Sequence, residues 1–159
     1  MDYITNLRNK VGHDPLILTG ATLLALNENN ELLMMKRTDN HCWGVPGGMM
    51  EPGETLEETL LRETKEEIGI KLSDYHLYGI FSGPELYYQY PNGDEVFNIS
   101  IVYLCTNFNE KILLNEEEHS EYAFFPLDRI PDKISPTIVP IITDLQIHML
   151  SQRKMKSEV

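Results

Sequence analysis

A mixed β-sheet packed between helices, an α/β (α+β) fold, is the class that three features of this sequence predict together. Extended apolar stretches alternate with turn-rich segments, one strongly marked amphipathic helix lies near the middle, and a second helical stripe closes the chain. At 159 residues, 42% hydrophobic and 24% charged, the chain is long enough for one sizeable core and short of the length usual for two. A single domain over residues 1–159 is therefore expected.

The elements follow in order. Ile4, Leu7 and Val11 form a weak helical pattern that predicts a short appended helix over about 3–12, closed by Gly12 and followed by extended chain from Pro15. Leu16 to Leu26 and Leu32 to Lys36 flank the turn-forming Asn27-Glu28-Asn29-Asn30 and read as a strand pair. Gly44, Pro46, Gly47 and Gly48 read as a loop, and Pro52-Gly53 as a further turn. Thr55 and Glu58 have the spacing of a capping box. They predict a helix from about Leu56 to Ile68 that buries Leu56, Leu60, Leu61, Thr64 and Ile68 and stops at Gly69.

Beyond that helix, Leu77 to Phe81 and Glu85 to Tyr90 read as extended, and Pro91-Asn92-Gly93-Asp94 as a hairpin turn into Val96 to Cys105. Ile112 to Leu114 and Tyr122 to Phe125 are candidates for short strands. Ser135-Pro136 resembles an N-cap with proline in the first turn of a helix over about 136–152, whose stripe is Ile138, Ile141, Ile142, Leu145 and Met149. Pro140 either kinks this helix or marks its start, and Gln152 to Val159 are expected to fray.

Composition narrows the function. No apolar run reaches the roughly 18 residues that span a bilayer, so no membrane association is expected, and the polar first ten residues do not resemble a secretory signal. Cys42 and Cys105 lie far apart and read as reduced thiols of a cytoplasmic protein. A net charge of −12 should repel the backbone of a nucleic-acid polymer. A small anionic substrate remains compatible, provided cations stand between its phosphates and the protein's carboxylates.

Such carboxylates are present. Glu63, Glu66 and Glu67 lie at spacings of three and four on the expected helix, within an arc of roughly 100°. Like charges this close oppose one another unless a cation intervenes. Magnesium, which takes a few carboxylates together with water and phosphate oxygens, suits the set, with manganese as the alternative ion. Calcium in an EF-hand does not, because the alternating oxygen-ligand loop with its central glycine is missing from the sequence.

Gly48, Glu54, Arg62-Glu63, Glu66-Glu67, Gly69 and Ile70 resemble the Nudix box, G-x5-E-x7-R-E-U-x-E-E-x-G-U, where U is a bulky aliphatic residue. Thr64, at the first U position, is the one departure, and it bears on packing more than on chemistry. Trp43 with Val45 to Gly48 resembles the family's approach to the box. Glu118 to Glu121 before Phe124-Phe125-Pro126-Leu127 resembles the segment that supplies a further acidic residue.

The resemblance implies an α/β/α sandwich around a mixed sheet, and magnesium-dependent hydrolysis of a pyrophosphate bond in a nucleoside diphosphate linked to another group. The substrate branches left open are ADP-ribose or a nucleotide sugar, and a nucleoside triphosphate, oxidised forms included. It implies Glu66 and Glu67 as main metal ligands, Glu63 as ligand or general base, and Glu54 and the Gly47 carbonyl as additional ligands. Arg62 is expected to orient the carboxylates and Glu118 to act from a loop outside the helix. Arg37, Trp43 and Tyr88 are the candidate substrate contacts, with Tyr87 and Tyr90 as further aromatic residues able to stack a base.

Plainer readings compete. Glu57 and Glu58 read as a solvated helix face, the run from Glu116 to Glu121 as a charged loop, Trp43 as loop packing, and the five histidines as without a catalytic role. A non-catalytic nucleotide sensor is the alternative function, weakened by the full set of box carboxylates. The expected partner is a small nucleotide-like substrate, and a homodimer is left open as an assembly.

Overall fold

The computed structural model describes residues 3–157. Helix α1 (Tyr3–Val11) leads into β1 (Leu16–Ala25) and β2 (Glu31–Arg37), followed by two short strands, β3 (Trp43–Gly44) and β4 (Gly47–Met49). Helix α2 (Leu56–Ile68) precedes β5 (His76–Phe81), β6 (Tyr87–Gln89), β7 (Glu95–Cys105) and β8 (His119–Pro126), and α3 (Val139–Ser157) follows.

The strands form two sheets. One has the order β4-β1-β7-β5 with β6 also on β7, and the other has the order β3-β2-β8. β1 is apolar on both faces and therefore takes a central position, running parallel to β7 from Leu16↔Val96 to Ala25↔Cys105. The pairing expected between β1 and β2 is corrected accordingly: their only contact of that kind among the described residues is the isolated bridge Leu26↔Leu32. The glycine segment expected as a loop instead runs extended from one sheet to the other, as β3 on β2 and β4 on β1.

Two cores lie on opposite faces. Alternation along the strands sends Leu23, Leu33 and Ile101 against Leu60 and Ile68 of α2, while Leu24, Met34 and Val102 meet Ile141, Ile142 and Leu145 of α3. The arrangement is the expected helix–sheet–helix layering.

Helix α2 forms as the sequence indicates. Thr55 and Glu58 exchange both bonds of the capping box, and Gly69 ends the helix at φ 72°, returning its N–H to the Lys65 carbonyl. Thr64 is buried without penalty, because its hydroxyl donates to the Leu60 carbonyl at 2.9 Å. The segment at Ile112 to Leu114 is not a strand. The Leu113 and Asn115 N–H groups instead donate to the Ile68 and Glu67 carbonyls, satisfying acceptors that the end of α2 leaves open.

Three smaller expectations change. Pro84–Leu86 is a 3-10 turn, so only Tyr87–Gln89 remains as strand before the hairpin. Ser135 makes no side-chain cap bond, and a 3-10 turn at Pro136–Ile138 precedes α3, which places Pro140 in the first turn rather than at a kink. Helix α3 continues to Ser157 where fraying was expected from Gln152, and residues 158 and 159 of that expectation lie outside the described residues.

Candidate active site

The site begins with a close approach of backbone to helix. Strand β4 lies antiparallel to β1 at Gly20↔Met49, Ala21↔Gly48 and Thr22↔Gly47. A Cβ on Gly48 would overlap the Glu63 carboxyl group, so this glycine is what lets the helix bring a carboxylate onto the strand. The Gly47 N–H in turn donates to Glu67 Oε2 at 2.8 Å.

Arg62 organises the exposed side of α2. Its Nε and Nη2 donate to the two Glu54 oxygens at 2.6 and 3.0 Å, a bidentate pair. Its Nη1 donates to Glu63 at 2.6 Å and lies 3.4 Å from Glu66, while Nη2 also reaches the Met49 carbonyl at 3.0 Å. Glu54 further accepts from the Glu51 N–H and the Thr59 hydroxyl. The guanidinium bonded to it holds the Glu54 carboxyl down at about 2.

Glu67 is in the opposite situation. It is buried, and burial pushes its carboxyl up to about 8, with the charges of Glu63 and Glu118 adding to the rise against the Gly47 N–H. Glu63 is also raised by burial, against the pull of Arg62.

The loop before β8 completes the arrangement. Thr38 holds it through its N–H and hydroxyl, both donating to the Glu118 carbonyl at 2.9 and 3.0 Å. Glu67, Glu118 and His119 thereby offer ligand atoms that all lie within 4.8 Å of one another, the one such group among the described residues. His119 was given no role from sequence. It is buried, its Nε2 is 3.8 Å from Glu67 Oε1, and its Nδ1 has no partner. Burial lowers its pKa while raising that of Glu67, so both favour their neutral forms and the contact is not a full ion pair. Its sequence adjacency to Glu118 was the one available signal.

A cleft of about 320 Å³ adjoins this cluster. Glu67, Gly47, Gly48 and His119 line it together with Arg37, Tyr88 and Tyr90. Arg37 is clamped by Asp39 through bonds of 2.9 and 2.7 Å, and Tyr88 meets Tyr90 edge-on at 4.8 Å. Trp43, a candidate substrate contact, does not line the cleft: its ring packs edge-on against Phe125 at 4.9 Å with Lys36 above it. Tyr87 also turns away, against Phe97. Glu66 stays exposed, and Glu63 and Glu66 direct oxygens to Arg62 rather than gathering with Glu67.

A concave cleft with carboxylates and flat aromatic side chains in its lining has the form of a small-ligand site. The chain belongs to the NUDIX domain family, which it matches over residues 17–145. It is similar to the ADP-ribose pyrophosphatase of Methanocaldococcus jannaschii, with 33% identity over 109 residues that cover 67% of this chain and 60% of the relative. The nucleoside triphosphatase NudI of Klebsiella pneumoniae is 32% identical over 108 residues, 64% of this chain and 76% of that protein. A putative 8-oxo-dGTP diphosphatase of Bacillus subtilis is 38% identical over 66 residues, 42% of this chain and 44% of the relative.

The matched stretch thus spans less than two thirds of the archaeal and Bacillus relatives. Among solved structures, the MutT NUDIX hydrolase from Burkholderia pseudomallei superposes with a TM-score of 0.64 at 25% identity, covering 76% of this chain and 91% of that one. The MutT protein from Methanosarcina mazei Go1 superposes at 0.68 and 23% identity, covering 85% and 96%, and shows the fold.

The family implies a divalent cation, and the residues fit one. The cluster is dominated by hard carboxylate oxygens, and Glu67 is destabilised as an anion first by burial and then by the charges of Glu63 and Glu118, a penalty that a cation would offset. The carboxylate oxygens of the group suit magnesium and manganese alike. No helix among the described residues is long and apolar enough to cross a membrane.

Proposed function

We propose that this protein is a magnesium-dependent pyrophosphohydrolase that cleaves the pyrophosphate bond of a nucleoside diphosphate linked to another group. The observation that carries this reading is the buried Glu67 at the cleft, with Glu63 and Glu118 close enough to raise its proton affinity and Arg62 ordering the neighbouring carboxylates. The relatives are named for substrates of this kind, ADP-ribose, nucleoside triphosphates and 8-oxo-dGTP.

Within the reading, Glu67, Glu66, Glu63, Glu118 and the Gly47 carbonyl are the ligands available to the ion, with His119 at its margin. The bound cation supplies charge neutralisation of the phosphates and a more acidic water. Arg62 keeps Glu54 and Glu63 in fixed orientations, and Glu63 or Glu118 takes the proton from the attacking water. Arg37, held by Asp39 at the cleft wall, faces the phosphate-bearing substrate with a cation of fixed geometry. The experiment is a panel of ADP-ribose, nucleotide sugars and ordinary and 8-oxo nucleoside triphosphates, incubated with magnesium or manganese, with products separated by chromatography. Cleavage at a pyrophosphate bond is expected for at least one member. Failure on the whole panel with both ions would favour the non-catalytic sensor.

A further inference from the structure

The floor of the cleft is a polar interruption in an apolar sheet face. On the side that meets α3, β1 and β7 contribute Leu24, Val102 and Leu104 to the core. Farther along the same face the alternation of β1 and β7 places Thr22, Ser100 and Asn98, and all three line the cleft. Thr22 and Ser100 satisfy each other through a hydroxyl contact of 2.8 Å. Asn98 differs, because its Oδ1 is buried with no hydrogen-bond partner. A polar atom closed off and unpaired in a folded protein calls for a partner.

Position suggests which partner. In the strand register Asn98 is level with Leu18, and Gly47, which binds Glu67, is level with Thr22. Four residues of strand, about 13 Å, and two strand spacings, about 10 Å, separate the two positions, so their backbones stand roughly 16 Å apart. That separation suits a ligand whose phosphates meet the carboxylates while its far end reaches Asn98. Tyr88, Tyr90, Pro91, Leu86 and Ile138 line the same cleft and offer flat or apolar walls.

We propose that Asn98 is the base-reading residue of this cleft, its carboxamide bonding the edge of a nucleobase that lies against the tyrosines. The proposal rests on the pyrophosphohydrolase reading for the position of the phosphates. A carboxamide carries an acceptor beside a donor, which matches a base edge that presents an N–H next to a carbonyl or ring nitrogen. Rotation about χ2 turns the oxygen that is now closed off towards the cleft, where a substrate N–H can donate to it. Phosphate oxygens only accept, and they would leave that oxygen as it is. A sugar hydroxyl would satisfy it, but would not use the aromatic walls.

The test is calorimetric titration of AMP, GMP, UMP, CMP and ribose 5-phosphate, with magnesium, into the wild type, Asn98→Leu and Asn98→Asp. The wild type should bind at least one nucleotide tenfold or more tighter than ribose 5-phosphate, and Asn98→Leu should lose that advantage while melting at or above the wild-type temperature. An advantage retained in Asn98→Leu overturns the proposal, as does a wild type with no preference for any base over ribose 5-phosphate. Equal weakening of nucleotides and ribose 5-phosphate makes the partner a sugar hydroxyl and also overturns it. If Asn98→Leu does not fold, Asn98→Asp decides, since removal of the amide donors should reorder the four nucleotides and an unchanged order contradicts base reading. Binding is measured without turnover, so absence of hydrolysis would count against the proposed reaction and not against this assignment.

Discussion

Without a cation, Glu67 is pushed towards its protonated form, because the fold removes its carboxyl from water and sets other carboxylates near it. Burial pushes the group up to about 8, whereas an unfolded chain would hold it near ~4.3. The folded state therefore binds this proton more tightly, and the cation-free protein should lose stability as pH rises from about 4.3 towards 8 and level off above that. Glu63, also raised, shares the sign. His119 acts oppositely: burial lowers it, so acid below its ordinary 6.5 favours the unfolded chain. The interval between about pH 6.5 and 8 thus isolates the carboxyls. Melting curves in a chelator should fall across it more steeply for the wild type than for Glu67→Gln, which keeps only the Glu63 contribution, and parallel slopes would mean that Glu67 is not held protonated. In the adjoining loop, Glu118 alone of the three glutamates at 116–118 joins the group with Glu67 and His119. Glu118→Gln should slow turnover about tenfold or more at unchanged melting temperature, the scale of a general base or ligand. Glu116→Gln and Glu117→Gln should match the wild type, and three equal rates would reduce the loop to a solvated acidic surface.

At the level of elements, α2 carries the site and its cap sets where it starts. Loss of the Thr55 hydroxyl removes the bond from the Glu58 N–H, so Thr55→Ala should destabilise by about 1 kcal/mol and lower Tm by roughly 2–4 °C. Turnover per folded molecule should hardly change, because Thr55 lies at the far end of the helix from Glu66 and Glu67. A large loss of rate with small loss of stability would place the cap in the site itself. This helix was legible in the sequence because everything that makes it is local: the capping box, the apolar spacing and Gly69. The parallel pairing of β1 with β7 was not, since strands about eighty residues apart leave no short-range sign of each other. Nor was the glycine segment, whose composition signals a turn while its backbone bonds to two sheets.

Across the whole molecule, the cleft exists only where the parts meet: the glycine strand from one sheet, Arg37 and His119 from the other, and the tyrosines of the hairpin. The carboxylates of α2 could be read in advance because their spacing sets them on neighbouring positions of one helix, although Glu63 and Glu66 turn to Arg62 and only Glu67 joins Glu118 and His119. His119 and Asn98 could not, because their neighbours are set by β2 against β8 and by β1 against β7. Helix α1, which buries no residue, ties to the same hairpin through Arg8, whose Nη2 donates to the Glu95 carbonyl at 2.6 Å. On the proposed function, the Glu67 carboxylate is the centre of a cation-dependent hydrolysis. The most direct test is the rate of pyrophosphate-bond cleavage at saturating magnesium, wild type against Glu67→Gln, on whichever nucleotide of the panel the wild type cleaves fastest. A variant that folds and melts like the wild type but turns over about a hundredfold more slowly, the scale of losing one strong electrostatic contribution, is the predicted result. Rates within a few-fold of each other would contradict it.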